Sequence, residues 1–344
     1  MGLVLSSIGL GTYLGDESAR TDSGYEASVA AALAAGINVF DTAINYRGQK
    51  SERAIGRALA RAFAEGRASR DEVFVSTKGG YLPHDADDPR PGRRYVSETF
   101  LEPGVAPKAE VAQGCHCMSP GYLEDQIERS RANLGLETID LYYLHNVETQ
   151  LEAIGAQQFR SRLSRAIETL EAAAASGKIA AWGLATWHGL RVPPEHPEHL
   201  SLSAIEALAG EVGGAGHHFR GVQLPLNLGM IEALAYPSQA SPSGKGRVPA
   251  LEETAGRGLA AFGSASLLQG RLAAAELHER VVDAFSEVDT SARQALQFAR
   301  STPGLTSALV GVSSPEHVAE NFGLAAVPPA PAERVLALLR DDGN

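Results

Sequence analysis

Four side chains that can move protons stand at or just past the ends of apolar, β-rich runs. Asp41 follows "INVF", Tyr46 comes five residues later, Lys78 closes "EVFVSTK" and His145 closes "TIDLYYLH". A phenol is a weak acid at neutral pH, but an adjacent ammonium favours its phenolate, and a carboxylate keeps that ammonium charged and aimed. A histidine in the same place can donate a hydrogen bond to a substrate oxygen or share proton delivery with the tyrosine. Such a group is a proton donor beside a carbonyl oxygen, which is half of a carbonyl reduction. The hydride that completes it has to come from a cofactor. Taken singly, each residue has a plainer reading: a helix cap, a packed ring, a solvated lysine, a satisfied core histidine. The case rests on their recurrence at successive strand ends.

The elements that must position them alternate along the chain. Strands are expected at 7–10, 37–40, 72–78, 138–145, 178–186, 221–226, 258–263 and 306–311. Helical periodicity is expected over 25–35, 51–65, 120–134, 162–176, 201–210, 248–257, 289–301 and 315–322, with Ser51 as an N-cap and Ser119-Pro120 as a cap and first-turn proline. Eight β/α units with right-handed crossovers close naturally into an α/β (β/α)8 TIM barrel, with the polar strand ends converging at its mouth. The rival, a doubly wound dinucleotide fold, needs G-x-G-x-x-G in the first turn, and "GLGTYLG" places its last glycine one residue too far. One barrel domain over 1–344 is therefore expected. Long segments at 81–119, 225–247 and 263–288 fall on the strands' C-terminal side as lids or substrate walls, and 236–247 is expected to be mobile.

Composition narrows the function classes. The 344 residues are 44% hydrophobic and carry a formal charge of −11, which argues against broad contact with nucleic acid or anionic lipid. No apolar run approaches the ~20 residues of a membrane helix, and the start lacks the basic flank of a secretory signal, so a cytoplasmic protein is expected. "MGLVLS" fits the form of an N-myristoylation signal but reads better as part of the fold. The two cysteines, Cys115 and Cys117, flank His116 without a second ligand cluster, so no metal site is expected. Phosphate-loop, G-x-S-x-G and H-E-x-x-H motifs are missing.

Taken in order, "GLGTY", "VFDTAINY" with "SERAIGRAL", "VFVSTKGG", "LGLETIDLYYLHN", "GKIAAWGLAT", "VQLPLN", "AFGSASLLQG" and "ALVGVSSPEHVAEN" make the sequence resemble the aldo-keto reductase superfamily over nearly its whole length. The resemblance implies a barrel that binds NADP(H) without a Rossmann motif and interconverts an aldehyde, ketone or sugar carbonyl and an alcohol by direct hydride transfer. It assigns Asp41, Tyr46, Lys78 and His145 to a catalytic tetrad with Tyr46 as the acid. The cofactor positions it implies begin with Gly11, Thr12 and Asp41 at the mouth. Thr186 and Gln223 would hold the carboxamide, with Ala185-Thr186 in place of the usual Ser-Asn. Phe262 would supply the ring face under the nicotinamide, where a tyrosine is usual, and Gly263, Ser264 and Ser266 would line the pyrophosphate. Gly311, Ser313 and His317 would lie near the 2′-phosphate, and Glu320 and Asn321 near adenine. Gly311 and His317 stand where many relatives carry Lys and Arg, which leaves NADH as an alternative, but Ser313 and Ser314 can hydrogen-bond the phosphate and the start of the helix over 315–322 favours an anion, so NADPH is the favoured cofactor. The alternative to an enzyme is a nucleotide-binding regulatory barrel, and a metal-dependent sugar isomerase is a third reading. The sequence leaves the substrate and the oligomeric state open.

Overall fold

A computed structural model describes residues 3–241 and 243–340, so Met1 and Gly2, where the myristoylation form would act, lie outside the described residues. Its strands are β1 (Ile8–Gly11), β2 (Val39–Asp41), β3 (Phe74–Gly79), β4 (Leu141–His145), β5 (Trp182–Ala185), β6 (Phe219–Pro225), β7 (Gln239–Ala240), β8 (Arg247–Val248), β9 (Ala260–Ser264) and β10 (Ser307–Gly311). All but β7 and β8 pair in parallel as a closed barrel in chain order, with β10 returning to β1. This is the expected (β/α)8 barrel. β7 and β8 form an antiparallel ribbon that begins inside 236–247, the stretch expected to be mobile, and ends at Val248.

Side chains alternate across each strand, which sorts the apolar residues into two cores. Val39, Phe74, Leu141, Tyr143, Phe262 and Leu309 point inward and fill the barrel. The other face of the strands, with Val75, Tyr142, Trp182 and Val222, packs on the helices. Rings this large fit inside because small residues face them. A Cβ on Gly183 would lie 3.0 Å from the Tyr143 ring and 2.3 Å from the Gly221 carbonyl oxygen, so no side chain is tolerated there.

Three of the expected helices depart from the sequence pattern for reasons the structure shows, and short helices at Gly92–Val96, Glu232–Ala235, Glu279–Ala284 and Ala332–Ala337 were not expected. The first begins at Ala19, because Ser18 accepts the Thr21 amide as N-cap and starts the helix ahead of its apolar stripe. The second begins at Lys50, with Gln49 at the cap position, so Ser51 is not the N-cap; its buried hydroxyl donates to the Thr12 carbonyl at 2.7 Å. The helix expected over 162–176 runs from Glu148 to Ala175 across a break at Gly155, its first part too polar to show periodicity.

The 81–119 segment buries Tyr95, Phe100, Ala106 and Cys117 against Tyr122 of the following helix, Pro120–Leu134. It is a packed cap beside the barrel mouth, and Tyr81 is its one residue that lines the cleft.

Candidate active site

Strand register brings the four proton-moving residues together. Asp41 pairs with Ser76, Lys78 with Tyr143, and His145 with Ala185, which in turn pairs with Gln223. With a two-residue period, Asp41, Ser76, Lys78, Tyr143, His145 and Gln223 all face the barrel axis near its C-terminal end. Lys78 is wholly buried, a position tenable for a charge only with a close counter-ion. Asp41 supplies it: Lys78 Nζ donates to Asp41 Oδ2 at 2.6 Å and to the Thr42 carbonyl at 2.7 Å. The other carboxylate oxygen accepts Ser76 Oγ and Gln223 Nε2, each at 2.8 Å, so Asp41 is held by three side chains from β3 and β6. Burial opposes the ammonium charge, but Asp41 and then Tyr46 outweigh it and hold the Lys78 pKa above its ordinary value.

Tyr46, in the loop after β2, places its ring centre 4.8 Å from the Lys78 ammonium and meets the His145 ring edge-on at 5.9 Å. Burial raises the phenol pKa, Lys78 pulls it back, and the net direction is upward. The expectation that Lys78 makes the phenol acidic is therefore corrected for this state: desolvation outweighs the ammonium, and Tyr46 keeps its proton throughout the neutral range. Burial, then Lys78 and His116, hold the His145 pKa well below the usual value, so its ring is neutral. His145 Nδ1 is buried with no hydrogen-bond partner.

Above these residues lies a cleft of about 450 Å3. Of the cofactor positions expected from sequence, Gly11, Thr12, Asp41, Thr186, Gln223, Ser264, Ser266 and Gly311 line it. Thr186 Oγ1 is buried there without a partner, as is expected of a group that meets a ligand. Beyond Ser264 the chain turns through left-handed residues Ala265, Leu268, Gln269 and Gly270, a backbone that can cup an anion.

Phe262 and Gly263 do not line the cleft. Phe262 is fully buried one layer down, stacked on Phe74 at 5.4 Å and 10°, and two residues on along β9 it is Ser264 that reaches the cleft. Ser313, His317, Glu320 and Asn321 lie outside the cleft, along and just before the helix Pro315–Gly323 that follows β10. The His317 amide donates to Ser314, Glu320 accepts the Thr290 hydroxyl at 2.6 Å, and Asn321 is buried with its side-chain oxygen Oδ1 unpartnered.

Several lining residues went unassigned in the sequence. Asn146 and Trp187 directly follow expected strand ends, which was the available signal. Asn146 takes a left-handed backbone (φ 47°) and donates to the Tyr81 hydroxyl at 3.2 Å. The Trp187 loop is held by buried Glu148, whose carboxylate accepts the Trp187 and His188 amides at 2.6 and 3.1 Å; no sequence signal marks that role.

His116 anchors the 81–119 cap to the site. Its Nε2 donates to the His145 carbonyl at 2.6 Å, so Nδ1 is left to accept Gln150 Nε2 at 3.1 Å. Protonating Nδ1 would turn that acceptor against a donor, and burial lowers the His116 pKa from 6.5 to about 4. Because the folded-state value is depressed, its contribution is complete above the unfolded value and drains as pH falls from 6.5 towards 4, by about 3 kcal/mol in all. His145 adds in the same direction. Thermal melts of the parent and His116→Gln between neutral pH and pH 4.5 should show a steeper loss in the parent. Parallel curves would mean that His116 is not held neutral by the fold.

Among the described residues no cluster of three or more His, Cys, Asp or Glu can hold a metal ion, and Cys115 and Cys117 are free thiols. No helix among them is long and apolar enough to cross a membrane.

Comparison with known proteins agrees with the fold. A sequence model described as "Aldo/keto reductase family" matches residues 7–192. A D-threo-aldose 1-dehydrogenase from a Pseudomonas species is 31% identical over 166 residues, which cover 48% of this chain and 45% of that protein; the match thus spans about half the length of the relative. An aldo-keto reductase from Klebsiella pneumoniae solved with NADPH matches with TM-score 0.60 and 20% identity, covering 97% of this chain and 90% of the other. An aldo/keto reductase from the same organism, solved with NADP and acetate, gives TM-score 0.61 at the same identity and coverage.

Proposed function

The chain belongs to the aldo/keto reductase family, and from that premise we propose that it interconverts a carbonyl and an alcohol on a small substrate with NADP(H), using Tyr46 as the general acid. The observation that carries this reading is the Asp41–Lys78 pair at 2.6 Å with its ammonium 4.8 Å from the Tyr46 ring on the floor of the cleft.

The residues present fit a nicotinamide dinucleotide. Thr186 has an unpartnered hydroxyl, Gln223 faces the cleft, the 264–270 backbone can cup a pyrophosphate, and the start of the helix Pro315–Gly323 favours an anion beside Ser313 and Ser314. Phe262 is too deep to stack on a nicotinamide. We favour NADPH, with NADH as the alternative. When bound, the cofactor supplies or takes the hydride.

In reduction the carbonyl carbon gains that hydride while its oxygen takes the Tyr46 proton. The phenolate left behind is stabilised by the Lys78 ammonium, which Asp41 keeps charged. His145, neutral, can donate its one N–H to the same oxygen and so orient it. In alcohol oxidation the steps reverse, and the phenolate accepts the hydroxyl proton. The raised Tyr46 pKa suits the acid role, since the proton is present at neutral pH and leaves only as negative charge grows on the substrate oxygen.

For substrate class we propose an aldose or a similar polyhydroxylated aldehyde. The Tyr13, Tyr81 and Trp187 rings offer apolar faces, and the Asn45 and Asn146 amides can meet hydroxyls; Asn45 Oδ1 is buried and unpartnered. The Pseudomonas relative's name supports the same choice. The test measures nicotinamide absorbance with NADPH or NADH and a panel of aldehydes, and with NADP+ or NAD+ and a panel of aldoses. Turnover on simple aldehydes alone would remove the sugar assignment. Tight nucleotide binding with no turnover on any compound would favour the regulatory-barrel alternative.

A further inference from the structure

The residue that follows Tyr46 begins a turn of three consecutive left-handed residues, Arg47 (φ 49°), Gly48 (φ 55°) and Gln49 (φ 70°). Only the middle one is glycine. Residues with a Cβ rarely take this conformation, and they persist there when the surroundings over-determine them. A turn whose only task is to reverse the chain would use glycine or asparagine and leave long polar side chains in water. Here both side chains are buried and engaged.

The Arg47 side chain is almost wholly buried. Nε donates to the Asp16 carbonyl at 2.6 Å, Nη2 donates to Asp22 Oδ1 at 2.6 Å and to the Ser18 carbonyl at 3.4 Å, and Nη1 alone is unpartnered. The guanidinium lies 5.4 Å from the centre of the Tyr25 ring, whose hydroxyl donates to the Leu14 carbonyl. These partners belong to the loop after β1 and the helix that follows it. The same loop carries Tyr13, whose ring meets Tyr46 edge-on at 5.1 Å.

On the opposite side the 81–119 cap closes on the turn. The Ala86 amide donates to the Gly48 carbonyl, and a Cβ on Gly48 would lie 2.7 Å from His84 Nε2 and 2.8 Å from the Ala86 Cβ. Gln49 donates to the His84 carbonyl at 3.2 Å and accepts Asn133 Nδ2 at 3.2 Å.

We propose that Arg47 is the positioning residue for the general acid: its buried guanidinium ties the Tyr46 turn to the β1 loop, and the cap clamped on Gly48 completes the fixture that aims the phenol at Lys78. This inference rests on the reading of Tyr46 as the acid. It predicts that turning power is lost when the anchor is removed even though the backbone is made easier to hold.

Arg47→Gly does that, since glycine takes the left-handed conformation without strain while the anchor is gone. NADPH affinity, read by fluorescence titration, is expected to stay within about twofold, because no Arg47 contact reaches the cofactor positions. The kcat for carbonyl reduction should fall at least about tenfold, with the KM for the carbonyl changed far less, as for an interaction made only in the transition state. A kcat within twofold of the parent would overturn the proposal. Should Arg47→Gly fail to fold, Asp22→Asn, which leaves the turn sequence unchanged and takes the charge from the partner that Arg47 shares with Lys50, is measured instead. It is expected to lower kcat severalfold at unchanged NADPH affinity, and no change would also overturn it. Tyr46→Phe assayed alongside keeps the two readings apart: if it retains full turnover, the acid assignment fails; if it is inactive while Arg47→Gly is fully active, only the positioning role fails.

Discussion

Tyr46→Phe is expected to lower kcat by about 10²–10⁴-fold, the range that a single well-placed general acid supplies. Phenylalanine keeps the ring and so keeps the edge contacts to Tyr13 and His145. It removes only the hydroxyl, so the fold and the nucleotide affinity should be preserved. Because the proton transfer occurs only in the transition state, kcat and kcat/KM should fall together. His145 is neutral and too weak a proton source to replace the phenol. A variant that turns over at the parental rate would require a different proton donor and would remove the central role given to Tyr46.

The second large effect is expected from Lys78→Met, which fills most of the lysine stem but deletes the charge. It should leave Asp41 buried and unpaired and cost about 3–5 kcal/mol of stability. Activity should fall with it, since the phenolate loses its stabilising cation. A second substitution separates the two effects. In Lys78→Met/Asp41→Asn both charges are gone, so much of the lost stability should return while turnover does not. Chemical denaturation and steady-state rates on the three proteins give the comparison. The Lys78 pKa is raised, so its contribution is complete below the ordinary lysine value and is lost only as pH climbs above it. The stability difference should therefore be flat from pH 6 to 9. Stability in the double variant no better than in the single one would mean that Asp41 is not held as a charged partner of Lys78.

The sequence alone determined the alternation of strands and helices, the barrel that eight such units close into, and the arrival of Asp41, Lys78 and His145 at the mouth. Those features are local: a strand's two-residue period and a helix's 3.6-residue period can be read from a short window, and a polar residue after an apolar run marks a strand end. Tertiary structure decided the rest. Phe262 was expected to face the cofactor, but its level in the barrel depends on how β9 is staggered against β6 and β10, which no local pattern states. The Gln223–Asp41 hydrogen bond joins residues 182 apart in the chain. The direction of the Tyr46 pKa follows from burial by its surroundings, set against one nearby ammonium. The left-handed turn at Arg47 and Gln49 persists because distant loops hold its side chains, although the sequence there reads as an ordinary approach to a helix. Backbone periodicity travels with the chain, whereas register, desolvation and anchoring are sums over neighbours that exist only once the barrel has closed.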